Sequence, residues 1–211
     1  MNSAVAALAA TCYVSGGVPS GYLIAKRFRH IDIREHGSGN PGAANVYRVV
    51  GPAAGAATLA IDALKGFAPV LCARLVFPHE HSVWALCGVL AIVGHIWTVF
   101  LVFRGGKGVA TSAGVFAALL PVPLFGAIAA FLLGLKLSGH IFIGSVAAAL
   151  ALPAAAWALG APKPLLWLAS AAAAMVIVRH VSNIVCLVRG VPLSVRKPAP
   201  APGLEKTSET Q

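Results

Sequence analysis

Charge is scarce in this chain. Of 211 residues, 10% are Asp, Glu, Lys or Arg and 58% are hydrophobic, whereas a soluble domain carries about 25% charged residues. With a mean hydropathy of +0.84, that shortage excludes a surface turned to water. Acidic groups are the rarest, six Asp and Glu against 16 Lys and Arg. There is no carboxylate pair for acid–base work, no cluster with metal-ligand spacing and no Ser-His-Asp order, so neither a metal nor another cofactor is expected. The four cysteines, Cys12, Cys72, Cys87 and Cys186, lie in or beside apolar runs without paired spacing. They read as small buried hydrophobes, not as a disulfide framework. No internal repeat or linker divides the chain. It reads as one transmembrane domain over 1–195 and a tail, 196–211, whose Pro, Ala and Glu residues show no apolar period and are expected to be disordered.

What the chain does have is a series of long Ala/Leu/Val runs. Such runs cross a hydrocarbon core of ~30 Å only as helices, because the backbone must satisfy its own hydrogen bonds there. The fold class expected is therefore all-α, a polytopic transmembrane bundle surrounded by membrane lipid. The runs predict helices over 3–25, 52–77, 82–103, 109–120, 123–136, 141–160 and 164–188. The stretch 109–135 admits two readings. As a single span it gives six helices and sets Arg189, Arg196, Lys197 and Lys206 opposite the basic 26–48 loop, against the positive-inside rule. Broken at Pro121-Val122-Pro123, it gives two pieces too short to span, a re-entrant pair, and seven helices in all. Seven is the reading adopted, with the N-terminus outside and the C-terminus cytoplasmic. The first run carries its cations after it (Lys26, Arg27, Arg29), the opposite polarity to a cleaved signal peptide.

A net charge of +10 attracts any polyanion. Here the cations sit in short loops between apolar runs, so phosphorylated substrates or anionic headgroups are the expected counter-charges, and nucleic acid is not. Loop 26–51 contains GSGNPGAANVYR, from Gly37 to Arg48. Its glycines match a dinucleotide fingerprint by letter only, since that fingerprint needs a strand and a βαβ unit. The same glycines, with Ser38 and Asn40, can turn successive N–H groups toward an anion, and Arg48 can add a bidentate contact. A plain flexible turn would have the same composition. A second loop, RGGKGVAT from Arg104 to Thr111, lacks the first glycine and the Ser/Thr of a Walker A loop. Twin glycines beside Lys107, with a helix N-terminus following, still permit close approach to an anion. A third element, RHVSN from Arg179 to Asn183, puts His180 and Asn183 on one helix face. Asp62 and Lys65, three apart within an apolar run, pair with each other or serve a substrate directly.

The polar groups assigned to the cytoplasmic side are Ser38, Asn40, Asn45, Arg48, Lys107, His180 and Asn183, with only Asp32 and Glu35 as nearby carboxylates. Such a set suits a strongly anionic substrate held by positioning and charge neutralisation.

GSGNPGAANVYR, GHIWTVFLVFRGGKGVAT and RHVSNIVCLVRG resemble, in order and spacing, the three motifs of the bacterial acyl-phosphate:glycerol-3-phosphate acyltransferases. IDALKG, from Ile61 to Gly66, is similar to the Asp-x-x-Lys-Gly segment of that family. The resemblance runs from the first helix to about Gly190. It implies a seven-helix inner-membrane enzyme that transfers a fatty acyl group from acyl phosphate to the 1-hydroxyl of glycerol-3-phosphate at the cytoplasmic surface. It further implies that Ser38, Arg48, Lys107, His180 and Asn183 are catalytic, and that Gly39, Asn40, Asn45, Thr111 and Ser145 bind substrate. Ser145 is carried over from the likeness of Gly144-Ser145 to a small hydroxylated spot of the family. Acyl phosphate, glycerol-3-phosphate and membrane lipid are the implied partners, and the soluble enzyme that forms acyl phosphate is a further candidate. Whether His180 takes the proton of the attacking hydroxyl or the departing phosphate does is left open. The chain departs from the family pattern at Ala44 (usually threonine), Trp97-Thr98 (usually Phe-Pro), Cys186 (commonly arginine) and the Val191-Pro192 that follows Gly190.

Two other classes compete. A transporter for an organic phosphate would also combine Gly-rich breaks with buried charge, but its site would lie at the midplane within inverted repeats. A lipid-binding relative without turnover would keep the motifs. An acyltransferase of the His-x-x-x-x-Asp type is excluded, since none of the seven histidines has an aspartate five residues on.

Overall fold

Proline sets where several helices stop. In the computed structural model, which describes residues 3–190, the run expected as one helix over 3–25 is two, α1 (Ser3–Gly17) and α2 (Ser20–Arg29). Pro19 lacks a backbone donor and disfavours helix at the residue before it. The break releases two carbonyls that become acceptors: Thr98 Oγ1 donates to Gly17 O at 2.6 Å, and Lys65 Nζ donates to Val18 O at 2.7 Å. α2 ends in Lys26, Arg27 and Arg29, with His30 in the left-handed cap position. Cations suit the negative end of a helix dipole.

The first loop is more structured than expected. A 3-10 turn, Ile33–Glu35, and a short helix, α3 (Ala43–Val49), fold back on α2, and Ala25, Ile33 and Val46 close a small core beneath them. Asp32 caps the turn by accepting the Arg34 N–H at 2.9 Å and pairs with the Arg34 guanidinium at 2.6 Å. That guanidinium holds the Asp32 carboxyl below its usual range.

The remaining helices are α4 (Pro52–Val76), α5 (His81–Ile96), α6 (Val109–Leu119), α7 (Pro121–Ser138), α8 (Ile141–Ala158) and α9 (Lys163–Val188). Among the described residues the fold is all helical, and with α1 and α2 counted as one broken segment the seven apolar segments stand. Four stretches are long and apolar enough to cross a membrane, His81–Leu101, Pro121–Ser138, Ile141–Ala158 and Lys163–Val188. α4 is as long, at 25 residues, but carries Asp62, Lys65 and Arg74. The expected re-entrant pair needs correction. The break falls at Leu120-Pro121, and α7, at 18 residues, is long enough to cross by itself. Only α6, with 11 residues, is short. Pro121 and Pro123 fit the first turn of α7, where a missing N–H costs nothing. The cysteine reading is corrected too: Cys12 and Cys87 are buried, Cys72 is exposed and Cys186 half-buried. The disordered tail expected over 196–211 lies outside the described residues.

Small residues bring the helices together, as they do in membranes where apolar burial between helices gives little net drive. A Cβ on Gly16 would run into Ala91 O, and one on Gly94 into Tyr13 O, so α1 and α5 touch backbone to backbone. Gly66 and Gly114 do the same for α4 and α6, against Thr111 O and Ala63 O. Arg74 Nη1 donates to Ala118 O at 2.6 Å, satisfying a carbonyl at the C-terminal end of α6. These contacts fix α1 against α5 and α4 against α6, and the end of α5 and the start of α6 border the second motif segment.

Candidate active site

The first motif forms a braced loop. Gly37 and Gly39 have φ of +59° and +72°, where a side chain is strained. A Cβ on Gly37 would also meet Asn45 Oδ1. Asn45, buried at the start of α3, accepts the Ser38 N–H at 2.9 Å and donates to His36 O at 3.0 Å and Ile33 O at 3.3 Å. Its amide therefore holds the loop that presents Ser38, whose side chain is exposed. Asn40 Oδ1 accepts the Gly42 N–H at 2.9 Å, which turns the chain into α3. Removing such a set of buried bonds costs about 1–3 kcal/mol for each group left unsatisfied. Asn45→Ala should accordingly lower the melting temperature and weaken substrate affinity together. Asn45→Asp, which keeps the acceptor for Ser38 but turns a carboxylate toward the Ile33 and His36 carbonyls beside an anion site, should lose at least as much of both, as melting and binding measurements in the same preparation would show.

The second motif meets the third. Lys107 Nζ donates to Asn183 Oδ1 across the gap between the Arg104–Gly108 loop and α9. Arg179 Nη2 donates to Gly105 O at 3.1 Å, so α9 grips the loop twice. Burial first, then the Arg179 and Arg48 charges, together push Lys107 down to about 8. That influence places Arg48, exposed at the end of α3, within electrostatic reach of the lysine. His180 is buried, and its Nδ1 donates to Val176 O at 2.7 Å. In a neutral ring that bond fixes the tautomer, leaving the Nε2 lone pair as an acceptor.

The first and second motifs also share a small polar pocket, lined by Pro41, Gly105, Gly106, Ser20, Asp62, Lys65 and His95 among others. Asp62 and Lys65 do pair, at 2.7 Å. Ser20 Oγ donates to the same carboxylate oxygen at 2.5 Å.

Of the residues singled out from sequence, Ser38, Asn40, Asn45, Arg48, Lys107, His180 and Asn183 lie on the three motif segments that converge here. Thr111 is fully buried one turn into α6, its hydroxyl without a hydrogen-bond partner among the described residues. Ser145 is buried on α8 and donates to Ile141 O at 3.0 Å on its own helix. No hydrogen bond recorded for it reaches the other candidates. Sequence reasoning gave no role to Ser20, and named His95 and Arg179 only as members of the second and third motifs. The cost of burying polar groups inside apolar runs was the available signal for all three.

A family model described as glycerol-3-phosphate acyltransferase matches residues 6–190. A glycerol-3-phosphate acyltransferase of Trichlorobacter lovleyi is 43% identical over 181 residues, covering 86% of this chain and 92% of that protein. One from Geobacter sulfurreducens is 44% identical over 177 residues, covering 84% and 90%. The fold is similar to a crystal structure of PlsY, an integral membrane glycerol 3-phosphate acyltransferase, in its glycerol 3-phosphate form, with a TM-score of 0.86 and 33% identity over 89% of this chain and 93% of that one. A lysphosphatidic acid form of PlsY matches at 0.83 and 32%. Matched along nearly its whole described length, with the three motif segments brought to one end of the bundle, the chain belongs to the glycerol-3-phosphate acyltransferase family.

Proposed function

We propose that this chain transfers a fatty acyl group from acyl phosphate to the 1-hydroxyl of glycerol-3-phosphate, at the cytoplasmic face of a bacterial inner membrane, with Ser38, Arg48, Lys107, His180 and Asn183 as its catalytic set. The observation that carries it is the Lys107–Asn183 hydrogen bond, with Arg179 bound to Gly105 of the same loop and Pro41 of the first motif lining one pocket with Gly105 and Gly106. Both substrates bring a phosphate to a place where cations outnumber carboxylates, and Asp32, one of the two nearby, is already neutralised by Arg34. Donor and acceptor phosphates repel one another, and cations fixed in advance remove that cost without reorganising during the reaction.

Acyl phosphate is a mixed anhydride, activated before it binds, so no covalent enzyme intermediate is required. The glycerol hydroxyl oxygen attacks the acyl carbonyl carbon, the bond from that carbon to the bridging phosphate oxygen breaks, and inorganic phosphate leaves. The hydroxyl proton goes to His180 Nε2, the ring atom left as acceptor, or to the departing phosphate. Lysophosphatidic acid is the product, a reading supported by the likeness to the lysphosphatidic acid form of PlsY. The motif segments belong to the end of the bundle where Lys26, Arg27, Arg29 and Arg48 gather, which favours the cytoplasmic side.

The test is purified protein in lipid nanodiscs, radiolabelled glycerol-3-phosphate, and either palmitoyl phosphate or palmitoyl-CoA. Labelled lysophosphatidic acid is expected from the phosphate donor alone. Product from the CoA donor instead would overturn the donor assignment. Product from neither, with the chain folded, would overturn the transferase reading and turn attention to uptake of glycerol-3-phosphate into proteoliposomes.

A further inference from the structure

The lysine loop rests on a histidine. Gly106 lies so close to the His95 ring that a Cβ there would fall on Nε2, and a Cβ on Gly105 would fall on His95 O. The Gly106 N–H donates to His95 O at 3.1 Å and the Gly105 N–H to Ile96 O at 3.0 Å. His95 thus supports the loop with both its backbone and its ring. The ring in turn faces a buried anchor. His95 Nδ1 stands 3.7 Å from Asp62 Oδ1, and Asp62 is tied to Lys65 and Ser20. Lys65 Nζ then reaches Val18 O, at the Pro19 break. The chain of contacts runs from the break in the first segment, through α4, to the end of α5 and onto the loop that carries Lys107. His95 and Asp62 are 7% and 2% exposed, too enclosed to meet a substrate phosphate themselves.

We propose that His95, whose ring faces Asp62, is a positioning residue for acyl transfer: its ring is the platform that sets the height of the Gly105–Gly106 turn, and thereby places Lys107 Nζ against Asn183 and the substrate phosphate. The inference rests on the functional reading above. A side chain that only fills space would contribute stability without energetic coupling to Lys107, whereas a platform acts through it.

A double-mutant cycle decides between these. Equilibrium binding of radiolabelled glycerol-3-phosphate is measured for the wild-type chain, His95→Ala, Lys107→Ala and the double variant, with melting temperatures alongside. His95→Ala is expected to weaken binding about tenfold when Lys107 is present and less than twofold when it is already alanine. Turnover should show a matching rise in KM for glycerol-3-phosphate. Equal loss in both backgrounds, or no loss in either, would overturn the proposal. If His95→Ala does not fold, His95→Asn, which removes the ring beneath Gly106 but keeps a polar side chain facing Asp62, runs through the same cycle and must show the same non-additivity. A wild-type chain that binds glycerol-3-phosphate but does not acylate it from acyl phosphate would sink the donor assignment and leave the coupling to be read. One that binds none would remove both.

Discussion

Lys107→Ala is expected to lower acyl transfer by about 100- to 1,000-fold, the loss seen when one preorganised donor to developing negative charge is removed. The lysine ammonium joins the second motif to the third through Asn183, and among the described residues it is the side chain hydrogen-bonded to that amide. Lys107→Arg keeps the charge but not the compact ammonium, and should recover only part of the rate. The pH profile offers a sharper test. Burial and the Arg179 and Arg48 charges bring Lys107 down to about 8, so its protonated fraction falls as pH rises through that value. In the free enzyme, kcat/KM should therefore decline above about pH 8. A bound phosphate favours the ammonium and raises its pKa again, so the alkaline limb of kcat should lie at higher pH than that of kcat/KM. In Lys107→Arg the limb should vanish, since a guanidinium keeps its proton. A limb that stays near pH 8 in that variant would show that another group titrates there, and that Lys107 is not the cation that matters.

The helices were legible because their apolar runs are long and their breaks carry proline. Pro121 marked the α6–α7 boundary to within two residues. Pro19, equally placed to break a helix, lay inside a run that read as a single span, so length outweighed the local rule and the α1–α2 break was missed. α3 escaped because Gly, Pro and Asn dominate its approach. The helix depends on contacts distant in the sequence, the packing of Val46 on Ala25 and Ile33. The site was legible where residue type and topology agreed: Ser38, Lys107, His180 and Asn183 stand in motifs whose segments the fold joins. What the sequence did not reveal was division of labour. Asn45 looks like a substrate ligand in a string of letters and Arg179 like a mere neighbour of His180, and in the fold Asn45 braces the Ser38 loop while Arg179 holds Gly105. His95 stood in the second motif without a role of its own, because its meaning lies in Gly106, eleven residues on, and in Asp62 on another helix.

The buried ion pair yields the largest stability effect. Asp62 and Lys65 are 2% and 8% exposed, and each is the other's charged partner at 2.7 Å. Asp62→Ala leaves the Lys65 ammonium with Val18 O as its remaining hydrogen-bond acceptor, and Lys65→Met leaves the carboxylate with the Ser20 hydroxyl. Each single change is expected to cost about 3–5 kcal/mol, because an uncompensated buried charge is worse than none. The combined Asp62→Leu and Lys65→Met variant removes both charges and should regain most of the wild-type melting temperature, since apolar replacement of a buried pair is often neutral. Stability and catalysis should then separate. Without Asp62 facing its ring, His95 loses the anchor on which the lysine loop depends, so the double variant is expected to melt like the wild type yet keep a raised KM for glycerol-3-phosphate. Melting curves and initial rates on the same three proteins test this. Single variants as stable as wild type would show that the pair is not buried as described. A stable double variant with wild-type KM would show that the pair serves the fold alone and that the loop finds its place without it.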